Sequence, residues 1–220
     1  MKPKRIILIR HGESQGNVDK QHYEEVPDYA LNLTKRGVQQ AQEAGRIIKK
    51  VIGNEKLSVY VSPFFRTRQT FLEIRKSIEK NIVRAIEDPR IREQEWGHLR
   101  PIDENEEIKK ERDEYSTFYF RIPDGESGAD VYDRMSTFME TLHRDFRKRD
   151  FPRNCLIVTH GMTLRLFLMK WFHWTVEEFE NGHNPKNCQI VIMEKKSNDK
   201  YELTTKLKMR DPNILSEIAL

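Results

Sequence analysis

The sequence predicts a three-layer α/β/α sandwich built on a mostly parallel central sheet. Three observations lead there. Short runs such as Ile6–Ile9 (IILI) and Cys155–Val158 (CLIV) are apolar at every position, as in strands covered on both faces. Amphipathic helical stretches separate these runs, and strands alternating with helices give an α/β architecture. No internal repeat or low-complexity linker breaks the pattern. A length of 220 residues fits one domain over 1–220, with a lid-like insertion at about 97–125.

Strands are predicted at Ile6–Ile9, Ser58–Val61, Ile82–Glu87, Cys155–Thr159, Cys188–Met193 and Tyr201–Leu207. After the first strand, Val38, Ala41, Gly45, Ile48 and Ile52 step by three and four and mark one helix face. Thr34 is placed to cap that helix. Phe64, Thr67, Phe71, Ile74 and Ile78 repeat the spacing after the second strand. Gly97–Gly125 is irregular. Its charged stretch, Asp103–Tyr115, and the following STFYFRIPDGES suggest a short helix and a lid over the carboxyl ends of the strands. Open α/β sheets bind ligands there. Val131, Met135, Phe138, Leu142 and Phe146 mark a further amphipathic helix, and Leu164–Phe172 is apolar nearly throughout, as a buried helix would be.

Charged residues make up 34% of the chain, so its surface is densely ionic. Yet 39 basic residues face 35 acidic ones, and the net charge of +4 is spread without the basic stripe of a nucleic-acid binder. The mixed runs KKERDE and RDFRKRD read as solvated helix faces. No apolar stretch reaches the ~18–20 residues of a membrane span, and the first residues lack the form of a signal peptide. A cytoplasmic protein with neither nucleic-acid nor membrane partners is expected; composition leaves the oligomeric state open. Cys155 and Cys188 each open an apolar run, which predicts buried free thiols rather than a disulfide.

Four clusters carry chemistry: RHGESQGN at 10–17, SPFFRTRQT at 62–70, REQEWG at 92–97 and VTHG at 158–161. Taken alone, Arg10–Gly12 reads as a polar turn and His160 as a hydrogen-bonded strand-end histidine. Two His-Gly pairs, each after an apolar strand, are poorly explained by packing. Parallel strands end on one edge of the sheet, so Arg10, His11, Arg66 and His160 are expected to meet. Guanidinium forks suit phosphate oxygens. An imidazole can act as nucleophile, and a carboxylic acid, Glu93 or Glu95, can protonate a leaving oxygen. Such a set suits in-line phosphoryl transfer without a metal. The remaining histidines are scattered and show no metal-ligand spacing. Arg68, two residues beyond Arg66, points elsewhere on a helix and reads as a surface ion-pair partner.

Together and in this order, these elements resemble the histidine phosphatase superfamily, the phosphoglycerate mutase-like enzymes. RHGESQGN is similar to the family's signature RHG motif. LTKRGVQQA at 33–41, SPFFRTRQT, REQEWG, PDGES at 123–127 and VTHG follow in the family's order, over nearly the whole chain. The resemblance implies the phosphoglycerate mutase-like fold and a role for each matching position. His11 would be the phosphorylated nucleophile. Arg10 and Arg66 would hold phosphoryl oxygens, His160 would be the second histidine of the phosphate pocket, and Asn17 would add a hydrogen bond. The Gly161 N–H would point at the phosphate. Glu93 matches the family's acid when REQEWG is read back from its glycine, with Glu95 the lesser candidate. Arg100, Tyr119 and Arg121 belong to the lid and are candidates to grip the rest of the substrate. No cofactor is implied.

Glycolytic mutases of this family carry a longer basic, proline-rich insertion after the acid, whereas the interval from Gly97 to PDGES is short and rich in glutamate. FYFRIPDGESGADVYDR is similar to smaller phosphatase-like members. The expectation is a metal-independent phosphatase acting on a small phosphorylated substrate through a phosphohistidine. The alternatives are a 2,3-bisphosphoglycerate-dependent phosphoglycerate mutase and, from another class, a non-catalytic phospho-ligand-binding or regulatory module. A phosphoprotein substrate is a further alternative, since exposed basic residues attract acidic partners.

Overall fold

The computed structural model describes residues 2–210. Along the chain run β1 (Arg5–Arg10), α1 (Gln15–Val18), α2 (His22–Glu25), α3 (Lys35–Ile52), β2 (Leu57–Val61), α4 (Phe65–Ile78) and β3 (Ile82–Glu87). Then follow α5 (Ile102–Tyr115), α6 (Gly128–Phe146), β4 (Asn154–Thr159), α7 (Gly161–Phe172), α8 (Val176–Asn181), β5 (Ile190–Lys195) and β6 (Tyr201–Leu203). The strands form one sheet in the order β3-β2-β4-β1-β5-β6. The first four strands are mutually parallel, and β5 and β6 close one edge antiparallel. The fold is therefore the expected α/β sandwich. Residues 1 and 211–220 of the single-domain expectation lie outside the described residues.

Strand alternation sorts the core into two layers. Ile6 and Leu8 of β1 and Cys155 and Ile157 of β4 pack with Met135, Phe138 and Leu142 of α6 and Leu164 and Phe167 of α7. Their neighbours Ile7, Ile9, Leu156 and Val158 point the other way, onto Ala44, Ile48 and Ile52 of α3 and Ile74 and Ile78 of α4. Both faces of β1, β2 and β4 are thus buried, which is why IILI and CLIV lack polar residues. The edge strand β3 is largely exposed instead.

The helix ends follow sequence chemistry. Thr34 caps α3 by accepting from the Gly37 N–H at 3.0 Å. Ser127 and Asp130 form a reciprocal capping box on α6. The charged helix α5 buries no residue. Three expectations need correction. Cys188 does not begin a strand: its φ of 54° places it in a turn, and β5 starts at Ile190. Cys188 is accordingly only half-buried, whereas Cys155 is fully buried; both are free thiols. The last strand stops at Leu203, because the Thr204 N–H and the Thr205 hydroxyl both turn to Ile192. Within RDFRKRD, Asp145 is buried rather than solvated and accepts from the Tyr60 hydroxyl at 2.6 Å.

Two glycines let the first loop dock on α3. A Cβ on Gly37 would stand 2.1 Å from the Glu13 carbonyl oxygen, and one on Gly12 would stand 2.6 Å from the Gly37 carbonyl oxygen. The expected cost of Gly37→Ala is about 1–3 kcal/mol, a fall in Tm of roughly 3–10 °C. Calorimetry showing an unchanged Tm would contradict this close approach.

Candidate active site

Register brings the two His-Gly motifs together. Arg10 pairs with Thr159 across the parallel ladder, and the His11 N–H donates to the Thr159 carbonyl at 2.9 Å. The residues that follow, His11 and His160, come to lie with ring centroids 5.2 Å apart. Strand β2 ends at the same level, and the Ser62 hydroxyl meets His160 Nε2 at 2.7 Å. Arg66, one residue into α4, reaches back so that its Nε donates to His11 Nε2 at 3.2 Å.

His11 Nδ1 lies 2.7 Å from its neighbour's carbonyl, Gly12 O. That contact needs a proton on Nδ1, so Nε2 keeps a lone pair and accepts from Arg66. Burial, then the nearby charges of Arg66 and Arg10, hold the His11 pKa well below its usual 6.5. His160 is depressed for the same reasons, burial first, then Arg66. Both rings are therefore neutral at pH 7. Two buried nitrogens here, Arg10 Nε and His160 Nδ1, have no hydrogen-bond partner. Burial also lowers the pKa of Arg10, whose Nη1 donates to the Pro185 carbonyl at 2.8 Å.

A cavity of about 610 Å³ opens above this group, walled by Arg10, His11, Asn17, Arg66, Glu93 and Glu95 among others. His160 and Gly161 lie behind that wall: His160 is fully buried, and the Asn184 side chain lies against Gly161. Asn17 Oδ1 accepts from the Ser14 N–H at 3.1 Å and from Asn187 Nδ2 at 3.0 Å. Asn187 also donates to the His11 carbonyl at 3.1 Å, bracing the loop.

Glu93 reaches the start of α7. Its carboxyl oxygens accept from the Thr163 hydroxyl at 2.9 Å, the Thr163 N–H at 3.1 Å and the Met162 N–H at 3.2 Å. Those amides are unpaired at any helix N-terminus and need an acceptor. Glu95 is more exposed. Burial, then the neighbouring Asp28, raises its carboxyl pKa. The loop bearing both is pinned by Arg134 of α6, which donates to the carbonyls of Arg90, Arg92 and Glu93 at 2.6, 2.9 and 3.0 Å. Arg134 is itself paired with Glu126 at 2.9 Å, and Glu126 accepts from the Glu95 N–H at 3.0 Å. The PDGES segment thus has two jobs: its glutamate fixes the acidic loop and its serine caps α6.

Three lid candidates do not reach the cavity. Arg100 spends its guanidinium on the carbonyls of Trp96 and Pro123, at 2.8 and 2.6 Å. Arg121 pairs with Asp130 at 2.8 Å, and Tyr119, 58% exposed, lines a separate shallow depression with it. Arg68 forms its expected surface pair, with Glu87.

Sequence reasoning missed Tyr23 and Asp28. Both line the cavity. Asp28 grips the Arg66 fork, Oδ1 to Nη1 at 2.9 Å and Oδ2 to Nη2 at 3.0 Å. The Tyr23 ring lies against Gly16, and burial followed by Asp28 pushes its pKa up to about 12. Among the described residues, no three His, Cys, Asp or Glu side chains come together as a metal site, and no helix is long and apolar enough to cross a membrane.

Comparison with known proteins agrees with this geometry. Residues 6–206 match the model of the histidine phosphatase superfamily, branch 1. A phosphoglycerate mutase-like protein of Arabidopsis thaliana is 44% identical over 91% of this chain and 68% of its own length. A broad-range acid phosphatase of Saccharomyces cerevisiae is 32% identical over 94% of this chain and 90% of its own. Among solved structures, a putative alpha-ribazole-5'-P phosphatase from Escherichia coli superposes with a TM-score of 0.72 at 21% identity, covering 95% of this chain and 98% of that one. The fold, the order of the motifs and their convergence on one cavity thus have one explanation: the chain belongs to the histidine phosphatase superfamily, branch 1.

Proposed function

We propose that this protein is a metal-independent phosphomonoester hydrolase that works through a phosphohistidine on His11. The observation that carries the reading is the state of His11: a neutral ring, protonated on Nδ1, with its Nε2 lone pair turned toward Arg66 at the cavity.

In the first step His11 Nε2 attacks phosphorus in line. The N–P bond forms as the P–O ester bond breaks, and the proton of the Glu93 carboxylic acid passes to the departing alkoxide. Arg66 Nε, released from His11, turns to a phosphoryl oxygen. Arg10 Nε, which lacks a partner, supplies a further contact, and Asn17 at the cavity wall adds another. In the second step Glu93, now a carboxylate, takes a proton from water. The water oxygen attacks phosphorus, the N–P bond breaks and its electron pair returns to Nε2. The net reaction is ester plus water to alcohol plus inorganic phosphate. The guanidinium groups act throughout by spreading the charge of the transferring phosphoryl group.

A phosphoglycerate mutase would keep the phosphoryl group and return it to a second hydroxyl. A phosphorus NMR time course with chelator present, on 3-phosphoglycerate, a trace of 2,3-bisphosphoglycerate and p-nitrophenyl phosphate, separates the two. Growth of inorganic phosphate, absent from His11→Ala, is the result expected. Growth of 2-phosphoglycerate instead would make the protein a mutase, and silence in both signals would favour a binding module.

Glu95 is the rival acid, and leaving groups tell the two apart. Glu93→Gln should lower kcat on an alkyl phosphate by ~10²–10⁴-fold, and far less on p-nitrophenyl phosphate, whose leaving group needs no proton. Glu95→Gln should stay within about tenfold on both. The reverse pattern would move the acid to Glu95.

The nucleophile's protonation has its own signature. A depressed pKa leaves the lone pair in place on the acid side of 6.5, the ordinary histidine value. Nitrogen-15 NMR of labelled imidazoles should show His11 as the Nδ1–H tautomer, without a titration step between pH 8 and 6. A step near 6.5 would contradict the buried, neutral ring.

A further inference from the structure

Beyond the phosphoryl site, the cavity wall changes character. Pro27, Tyr29, Trp96, Leu99 and Ile102 also line it. Tyr29 and Leu99 are 55% and 49% exposed. Both stand at the cavity, where a ligand would cover them. Arg112 lies over the Trp96 ring at 5.1 Å and fixes that side chain.

Charges on the wall are arranged against a second anion. Arg66 has its fork filled by the Asp28 carboxylate. Glu95 adds a second carboxyl close enough to Asp28 for the two to interact. Farther along the lining, Lys20 and Lys109 share the single Glu106 carboxylate, Lys109 at 4.0 Å. Arg100 and Arg121, which would suit a substrate carboxylate, are held elsewhere. A ligand carrying a carboxylate beside its phosphate would bring it toward Asp28 and Glu95.

We propose that the cavity selects phosphomonoesters of an apolar, preferably aromatic, alcohol whose phosphate is the sole anionic group, with Tyr29, Trp96 and Leu99 holding the organic part and Asp28 excluding substrates that bear a second negative charge. This rests on the hydrolase reading and gives it a substrate class. A volume of about 610 Å³ accommodates a ring system as well as the phosphate. Selectivity of this kind comes from contact area and from repulsion of the wrong ligand.

The test uses three substrates with alkoxide leaving groups: ethyl phosphate, 2-phenylethyl phosphate and 3-phosphoglycerate. Wild-type kcat/KM should rank phenylethyl at least about tenfold above ethyl, as burial of a ring implies, with 3-phosphoglycerate below both. Leu99→Ser should cut the phenylethyl-to-ethyl ratio of kcat/KM several-fold. Tyr29→Ser should lower the same ratio. Asp28→Asn also alters the grip on Arg66, so its readout is a ratio: 3-phosphoglycerate over ethyl phosphate should rise at least about tenfold. Hydrolysis that ranks 3-phosphoglycerate highest, or a phenylethyl preference unmoved by Leu99→Ser and Tyr29→Ser, would overturn this specificity while leaving the phosphatase reading intact. No turnover of any of the three, with folded protein, would overturn both.

Discussion

Arg10 sits opposite Thr159 in a parallel ladder, and the His11 N–H extends that ladder onto the Thr159 carbonyl. This one register places the two histidines side by side. It is enforced from both faces of the sheet, since Ile6 and Leu8 must meet α6 and α7 while Ile7 and Ile9 must meet α3 and α4. A slip of one residue would exchange those faces and separate His11 from His160. The second parallel pairing, Val61 with Val158, brings Ser62 and the start of α4 to the same level. Arg66 needs only one further residue of helix to reach His11. The core therefore does more than stabilise: it sets the spacing of the groups proposed to be catalytic.

Gathering two guanidinium groups and two imidazoles in a buried place carries a cost, because each charge loses solvation. The site meets that cost in two ways. The imidazoles stay neutral. Asp28 neutralises Arg66 from the side away from His11. What is left unmatched at the cavity wall, Arg10 Nε, is the kind of deficit a phosphoryl group can fill. Around this centre, Arg134 and Glu126 tie the acidic loop to α6. A loop outside the sheet ladder thereby gains a defined position.

Much of this was legible in the sequence, for physical reasons. Fully apolar runs exposed the buried strands, and the three-and-four spacing of Ile48, Ile52, Phe138 and Leu142 exposed the helices that cover them. Parallel strands ending on one edge already implied that Arg10, His11, Arg66 and His160 would converge. The remainder follows from contacts that periodicity does not encode. Asp28 and Tyr23 belong to short helical turns between α1 and α3, and they matter only because that segment folds back over Arg66. Arg134 lies on a helix whose apolar stripe was visible but whose polar side gave no hint of the three carbonyls it binds. Arg100 and Arg121 looked available because they are cationic and close to the lid. Backbone carbonyls and Asp130 take their guanidinium groups instead. Cys188 seemed to open a strand because apolar residues follow it, yet its N–H is used to clasp the carbonyl of Arg10 at 3.1 Å.

The central claim is a covalent phosphoryl group on His11 Nε2. Rapid quenching of enzyme and substrate into alkali, which preserves phosphohistidine, followed by peptide mapping by mass spectrometry, tests it most directly. A phosphoryl group on the peptide carrying His11, forming within the first turnover and decaying as substrate is exhausted, is the predicted result. Multiple turnovers with no protein-bound phosphate at any quench time, or a label on a residue other than His11, would contradict it.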